Sequence, residues 1–142
     1  MSEVEDASRP IDEIVYEHFA LAVDSEEGRR MLRGYVMDYR GYCSFEVKDG
    51  SSFYIELDRG AVELHKRRQK ESNYSFPRVT GDTQAIRDVF NCKIRPFDAK
   101  REKRWEFKCR DRRGGIFSTL IRIGQDVKVA RLLAEASSKG TL

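Results

Sequence analysis

The sequence predicts a single α+β domain built on a mostly antiparallel sheet of about five strands. Three observations carry that reading. Alternating apolar and polar runs, separated by very short turn signals, fill the middle of the chain. Helical periodicity marks both ends. A short helical interlude separates the early strands from the last one. At 142 residues the chain fits one domain and can bury most of its apolar surface.

Residues 1–9 read as a flexible acidic tail, 10–136 as the domain and 137–142 as a second tail. Pro10 opens a first helix, with Asp12 and Glu13 favourably placed in its first turn. Ile11, Ile14, Val15, His18 and Ala22 make its apolar face. A second helix starts near Asp24, which has capping-box spacing to Glu27. Met31, Leu32, Tyr35, Val36 and Tyr39 supply its stripe and Gly41 its stop.

Strands follow. Cys43, Phe45 and Val47 alternate with Ser44, Glu46 and Lys48, and Asp49-Gly50 turns the chain. Phe53, Ile55 and Leu57 alternate with Tyr54, Glu56 and Asp58, and Arg59-Gly60 turns it again. Val62 and Leu64 alternate with Glu63 and His65. Such short connections make these runs antiparallel neighbours with one wet face. A fourth strand is expected within Tyr74 to Thr80, where Pro77 suggests an edge or a bulge. Asp82 then caps a short helix carrying Ala85, Ile86, Val89 and Phe90 on one side. Asn91 to Lys103 reads as a charged connection holding Ile94, Pro96 and Phe97. Trp105, Phe107 and Cys109 alternate with Glu106, Lys108 and Arg110 in a fifth strand. Ile116, Phe117, Leu120 and Ile121 have helical spacing. A last helix over Asp126 to Ala136 should turn Val129, Leu132, Leu133 and Ala136 inward.

Composition narrows the function. No apolar run approaches the roughly 20 residues needed to span a bilayer, and the acidic, polar start resembles no targeting peptide. Cys43, Cys92 and Cys109 are scattered and odd in number, which fits a reducing, cytoplasmic setting. The net charge of +3 hides an asymmetry: residues 1–27 hold nine acidic groups against one Arg, leaving +11 on the rest. Basic runs at 65–70 and 93–113 fit solvated faces, and alternatively an anionic membrane or nucleic acid.

Motifs that would name a reaction are missing. His18 sits on an apolar helix face and reads as a packed residue; His65 points outward and reads as solvated. Neither has a second ligand at metal spacing, so no metal site and no cofactor are expected. Gly114-Gly115 lacks the further glycines and the Lys of a phosphate loop. Cys43 and Cys109 face inward, where burial makes a thiol inert.

The run from Phe45 to Ile123 resembles the sterol carrier protein type two domain, a non-specific lipid-transfer family. Three segments carry the likeness: FEVKDGSSFYIELDRGAVEL (Phe45 to Leu64), VTGDTQAIRDVFNCKIRP (Val79 to Pro96), and REKRWEFKCRD (Arg101 to Asp111) leading to apolar Ile116 to Ile123. The chain departs from the family at Asn91-Cys92, where Gly is usual, and at Glu102-Lys103, where Gly-Lys is usual. It ends Gly140-Thr141-Leu142, without the Ser-Lys-Leu peroxisomal address. The resemblance implies a twisted sheet covered on one face by helices, with a hydrophobic tunnel between the layers. Inward strand residues and facing helical stripes would line it: Phe90, Phe97, Trp105, Phe107, Phe117, Leu120 and Ile121. The expected function is therefore binding or carrying a fatty acyl, sterol or isoprenoid ligand, as an accessory to an enzyme in one version. The alternatives are an enzyme of unrecognised type and a nucleic-acid module around Trp105. Against the latter, aromatics and charges in that strand face opposite ways.

Overall fold

Five strands pair in the order β3-β2-β1-β4-β5. The computed structural model describes residues 9–35, 39–67, 77–109 and 115–138, the side chains of 31–35 excepted. The strands β1 (Arg40–Val47), β2 (Phe53–Asp58) and β3 (Ala61–His65) form the meander read from alternation. Arg59 and Gly60 both have positive φ, 50° and 89°, the turn that matches strand twist in a two-residue hairpin. That turn sets the register: Asp58 opposes Ala61, Glu56 opposes Glu63 and Tyr54 opposes His65. β4 (Arg78–Gly81) lies parallel to β1, and β5 (Trp105–Lys108) lies antiparallel to β4. The sheet is thus mixed, with three antiparallel pairings and one parallel. β4 is interior, not the edge that Pro77 suggested. Pro77 falls just before it, so no ladder donor is lost, and its carbonyl accepts from Ser44 N at 3.0 Å.

Helices α1 (Ile11–Asp24) and α2 (Glu26–Tyr35) open the described chain. Ser25, not Asp24, caps α2: its Oγ accepts from Gly28 N at 3.0 Å. Gly41 lies inside β1 and ends no helix; a Cβ there would come within 2.3 Å of the Tyr39 hydroxyl. Tyr39 itself is buried just ahead of β1, while the stripe side chains of Met31, Leu32, Tyr35 and Val36 lie outside the described residues. α3 (Thr83–Phe90) is capped as read, Asp82 Oδ1 accepting from Ala85 N at 2.7 Å. Asp49, in the β1–β2 turn, also accepts from Thr83 N and Oγ1, and these bonds hold its carboxyl below the usual Asp value. Beyond the last residue of α3 the chain turns at Cys92, whose φ is 64°, with Lys93 N bonded to the Asp88 carbonyl and Cys92 N to that of Val89. This is a left-handed helix stop without its usual glycine.

Two readings of the helices change. The expected connection after Asn91 contains a short helix, α4 (Pro96–Arg101), begun by a proline in its first turn. The two expected C-terminal segments are one helix of 24 residues, α5 (Gly115–Ser138), because buried Ile123, Gly124 and Gln125 continue the inward face across the expected gap. It also runs into the expected tail at 137. Among the described residues no helix is long and apolar enough to cross a membrane.

The core lies between sheet and helices. Phe19 from α1, Phe45 from β1, Phe90 from α3 and Phe117 from α5 meet at ring separations of 5.8–6.3 Å. Each such side chain, fully buried, contributes about 1.5–3 kcal/mol. On the other sheet face, Tyr54 and Glu56 point as the alternation requires but are 7% and 6% exposed. His65 is not simply solvated: it stacks on Tyr54 at 4.4 Å and bonds Glu56 at 3.0 Å.

Candidate functional site

The residues expected to line a cavity divide. Phe90, Trp105, Phe117, Leu120 and Ile121 are all 0–4% exposed and belong to the packed core. Phe107 is half-buried against the same core. Phe97 is apart: on α4 it is 71% exposed, beneath the Arg101 guanidinium at 5.8 Å. Trp105, at 4% exposure, presents no face for a base to stack upon.

A pocket of about 720 Å³ lies where α1, α3 and the second half of α5 converge. Each helix offers one face at helical spacing: Ile14, Glu17 and Leu21; Gln84, Arg87 and Asn91; Lys128, Arg131, Leu132 and Glu135. Phe90, Cys92, Lys93 and Arg9 complete the lining, so Phe90 is the one member of the expected set that reaches this pocket. The volume suits a drug-sized or acyl ligand. The wall is amphipathic. Ile14, Leu21, Phe90 and Leu132 are apolar, while five basic side chains (Arg9, Arg87, Lys93, Lys128, Arg131) outnumber Glu17 and Glu135. Arg9 pairs with Glu17, and Arg87 Nη1 donates to the Arg9 carbonyl at 2.8 Å.

Beneath the pocket a polar seam locks the three helices. His18 is fully buried and its Nε2–H donates to the Ile121 carbonyl at 2.9 Å. Its Nδ1 accepts from Lys128 Nζ at 2.8 Å, which fixes the neutral tautomer. Burial first, and the Lys128 charge second, push the His18 pKa down to about 3. Lys128 Nζ also donates to the Phe90 carbonyl at 2.7 Å, placing a cation on the exposed dipole end of α3. Gln125, 1% exposed, donates to the Val89 and Ile94 carbonyls and accepts from Arg95. The end of α3 is therefore tied to α5 by two side chains. Gly124 makes this approach fit, because a Cβ there would fall 2.2 Å from His18 Nε2.

As a reactive site the pocket is poorly equipped. His18 is neutral, buried and spoken for by both ring nitrogens. Cys92 lines the pocket, but burial, its largest influence, raises its thiol pKa and keeps it protonated at neutral pH. The arrangement suits holding an amphiphile: apolar surface beside clustered cations. Sequence periodicity places Leu132 and Leu133 inward, whereas they are 61% and 54% exposed, with Leu132 on the pocket rim. Lys128, Gln125 and Arg131 escape the sequence reading altogether, although their i, i+3 spacing on α5 is visible in it.

No family model matches the chain, and no curated protein matches it. Solved structures do. A ubiquinone synthesis protein described as UbiJ-SCP2 superposes with a TM-score of 0.54 at 11% identity, over 75% of this chain and 87% of that one. A crystal structure of sterol carrier protein 2 gives 0.50 at 12% identity, over 78% and 93%. A conserved hypothetical protein of Thermus thermophilus, described as possibly a sterol carrier protein, gives 0.50 at 12% identity, over 84% and 90%. At such identity the likeness is one of fold, and the chain has a sterol-carrier-like fold.

Proposed function

We propose that this domain binds and carries a lipid with an apolar chain and an anionic head. One observation carries the reading: the pocket on this fold joins the accessible apolar surface of Leu21 and Leu132, backed by buried Ile14 and Phe90, to a basic rim. Each chain methylene removed from water contributes about 0.8 kcal/mol, so a modest length of chain suffices for useful affinity. Arg87, Lys93 and Arg131 supply donors for a carboxylate or phosphate. Phe90 belongs to the pocket lining and also packs against Phe19, Phe45 and Trp105 of the core, which holds Phe117, Leu120 and Ile121 and has Phe107 packed against it. A long chain that displaces its ring would enter that core, where the family resemblance implies a tunnel.

The pocket mouth also fits a donor membrane. Leu132 and Leu133 project beside Arg131, which is itself exposed. Leucines at the interface and cations near anionic headgroups each favour adsorption, the latter by about 1 kcal/mol per charge. Incubation with anionic vesicles containing a fluorescent fatty acid tests both halves. The protein is expected to extract the label in a 1:1 ratio, more slowly as salt is raised, because the contacts are screened. Failure to extract it from any vesicle, together with no uptake of free fatty acid, would sink the carrier reading. Uptake independent of salt and of vesicle charge would sink the docking half alone.

A further inference from the structure

We propose that Glu56, Glu63 and His65, on the sheet face away from the helices, form a site for a divalent transition metal of the Zn²⁺ class. The hairpin turn places Glu56 directly opposite Glu63, and His65 lies two residues beyond Glu63 on the same face. Like charges directly opposite one another destabilise a sheet pair unless positive charge offsets them; Arg40 already pairs with Glu56, and a metal would add positive charge that reaches Glu63 as well. The donor geometry is ready for that role. His65 Nε2 lies 3.0 Å from Glu56 Oε1 and 3.8 Å from Glu63 Oε2, and the three donor atoms fall within 4.8 Å of one another. Bonds of the usual Zn–N and Zn–O length at tetrahedral angles put donors about 3.3 Å apart, between those two separations.

The surroundings orient the set. The His65 ring is stacked flat on Tyr54, at an interplanar angle of 7°, which aims Nε2 at the carboxylates. Arg40 holds Glu56 through Oε2 alone, with Nε and Nη2 both at 3.2 Å, leaving Oε1 for the metal. Such outer partners fix a ligand's orientation and raise affinity. The Glu56 side chain is 8% exposed and that of Glu63 70%, so the site has a buried anchor and an open side where water completes the shell. One imidazole and two carboxylates favour Zn²⁺ or Co²⁺ over Mg²⁺.

The test is titration calorimetry of the full chain with Zn²⁺ and with Co²⁺, in a Cys92→Ser, Cys109→Ser background that removes competing thiols. One saturable equivalent, a raised melting temperature and no response to Mg²⁺ are expected. Glu63→Gln, at an exposed position where folding is not at stake, should weaken Zn²⁺ binding at least tenfold, and His65→Ala should abolish it. No saturable binding below millimolar Zn²⁺ would overturn the proposal. So would binding that Glu63→Gln and His65→Ala leave unchanged, since the metal would then sit elsewhere.

Discussion

The two halves of α5 share one helix and one apolar spacing, yet they do different work. From Gly115 to Gln125 seven residues are buried, Phe117 and Leu120 completely. From Asp126 to Ser138 none is. The first half packs against α1 and closes the core. The second buries no residue, and its face becomes pocket wall and rim. Periodicity reports that a stripe is apolar; it does not report what covers it. The boundary falls at His18, Gly124, Gln125 and Lys128, where α1 and the end of α3 are fastened to α5.

Substitution at that boundary should have the largest effect. At an open helix position Gly124→Ala would stabilise by about 1 kcal/mol. Here the new methyl displaces the His18 ring and breaks its buried bonds, so a net loss of about 3 kcal/mol is expected in urea unfolding. A gain in stability would show that the two halves are not joined there.

Acid should loosen the same joint more gradually. The unfolded His18 takes up a proton below its ordinary value of 6.5, whereas the folded one resists until about 3. Between those values the unfolded state binds more protons, so stability falls as pH falls, by about 1.4 kcal/mol per unit. Asp49, Glu56 and Asp88, whose folded values are lowered, add slope of the same sign. For Glu56 and Asp88, burial pushes upward but is outweighed by hydrogen bonds from His65 and Arg40, and from Arg104 and Gln84. The His18 share is therefore read as a difference. His18→Gln should have a flatter stability profile from pH 6 to 4 than the unaltered protein, and parallel profiles would place that titration elsewhere.

Much of this architecture was legible because its causes are local. Alternation located β1 to β3 and β5, Asp82 announced its own helix, and Arg59-Gly60 marked the hairpin that sets register. What escaped depends on distant partners. Nothing near Pro77 says that β4 lies inside the sheet, parallel to β1. Ser25 capped α2 in place of Asp24, one residue away. The spacing of Val129, Leu132, Leu133 and Ala136 is as regular as that of the buried stripe before it, yet Leu132 and Leu133 are exposed and Val129 and Ala136 only half-buried. His65 looked solvated because Glu56, nine residues earlier, becomes its neighbour only after the hairpin closes. Of the residues expected to line a cavity, Phe90 meets the pocket, because it sits at the end of α3 where all three helices converge.

The central claim is that the second half of α5 binds ligand while the first half holds the fold. It is tested most directly by titrating a fluorescent fatty acid into the unaltered protein, Leu132→Asp and Arg131→Glu, with urea unfolding of each. Both substitutions lie on the exposed rim, so stability should change by no more than about 0.5 kcal/mol. Affinity should fall at least tenfold in each, about 1.4 kcal/mol, because one puts a charge against the chain and the other repels the head. Equal affinity across all three proteins, or no saturable binding by the unaltered one, would contradict the account.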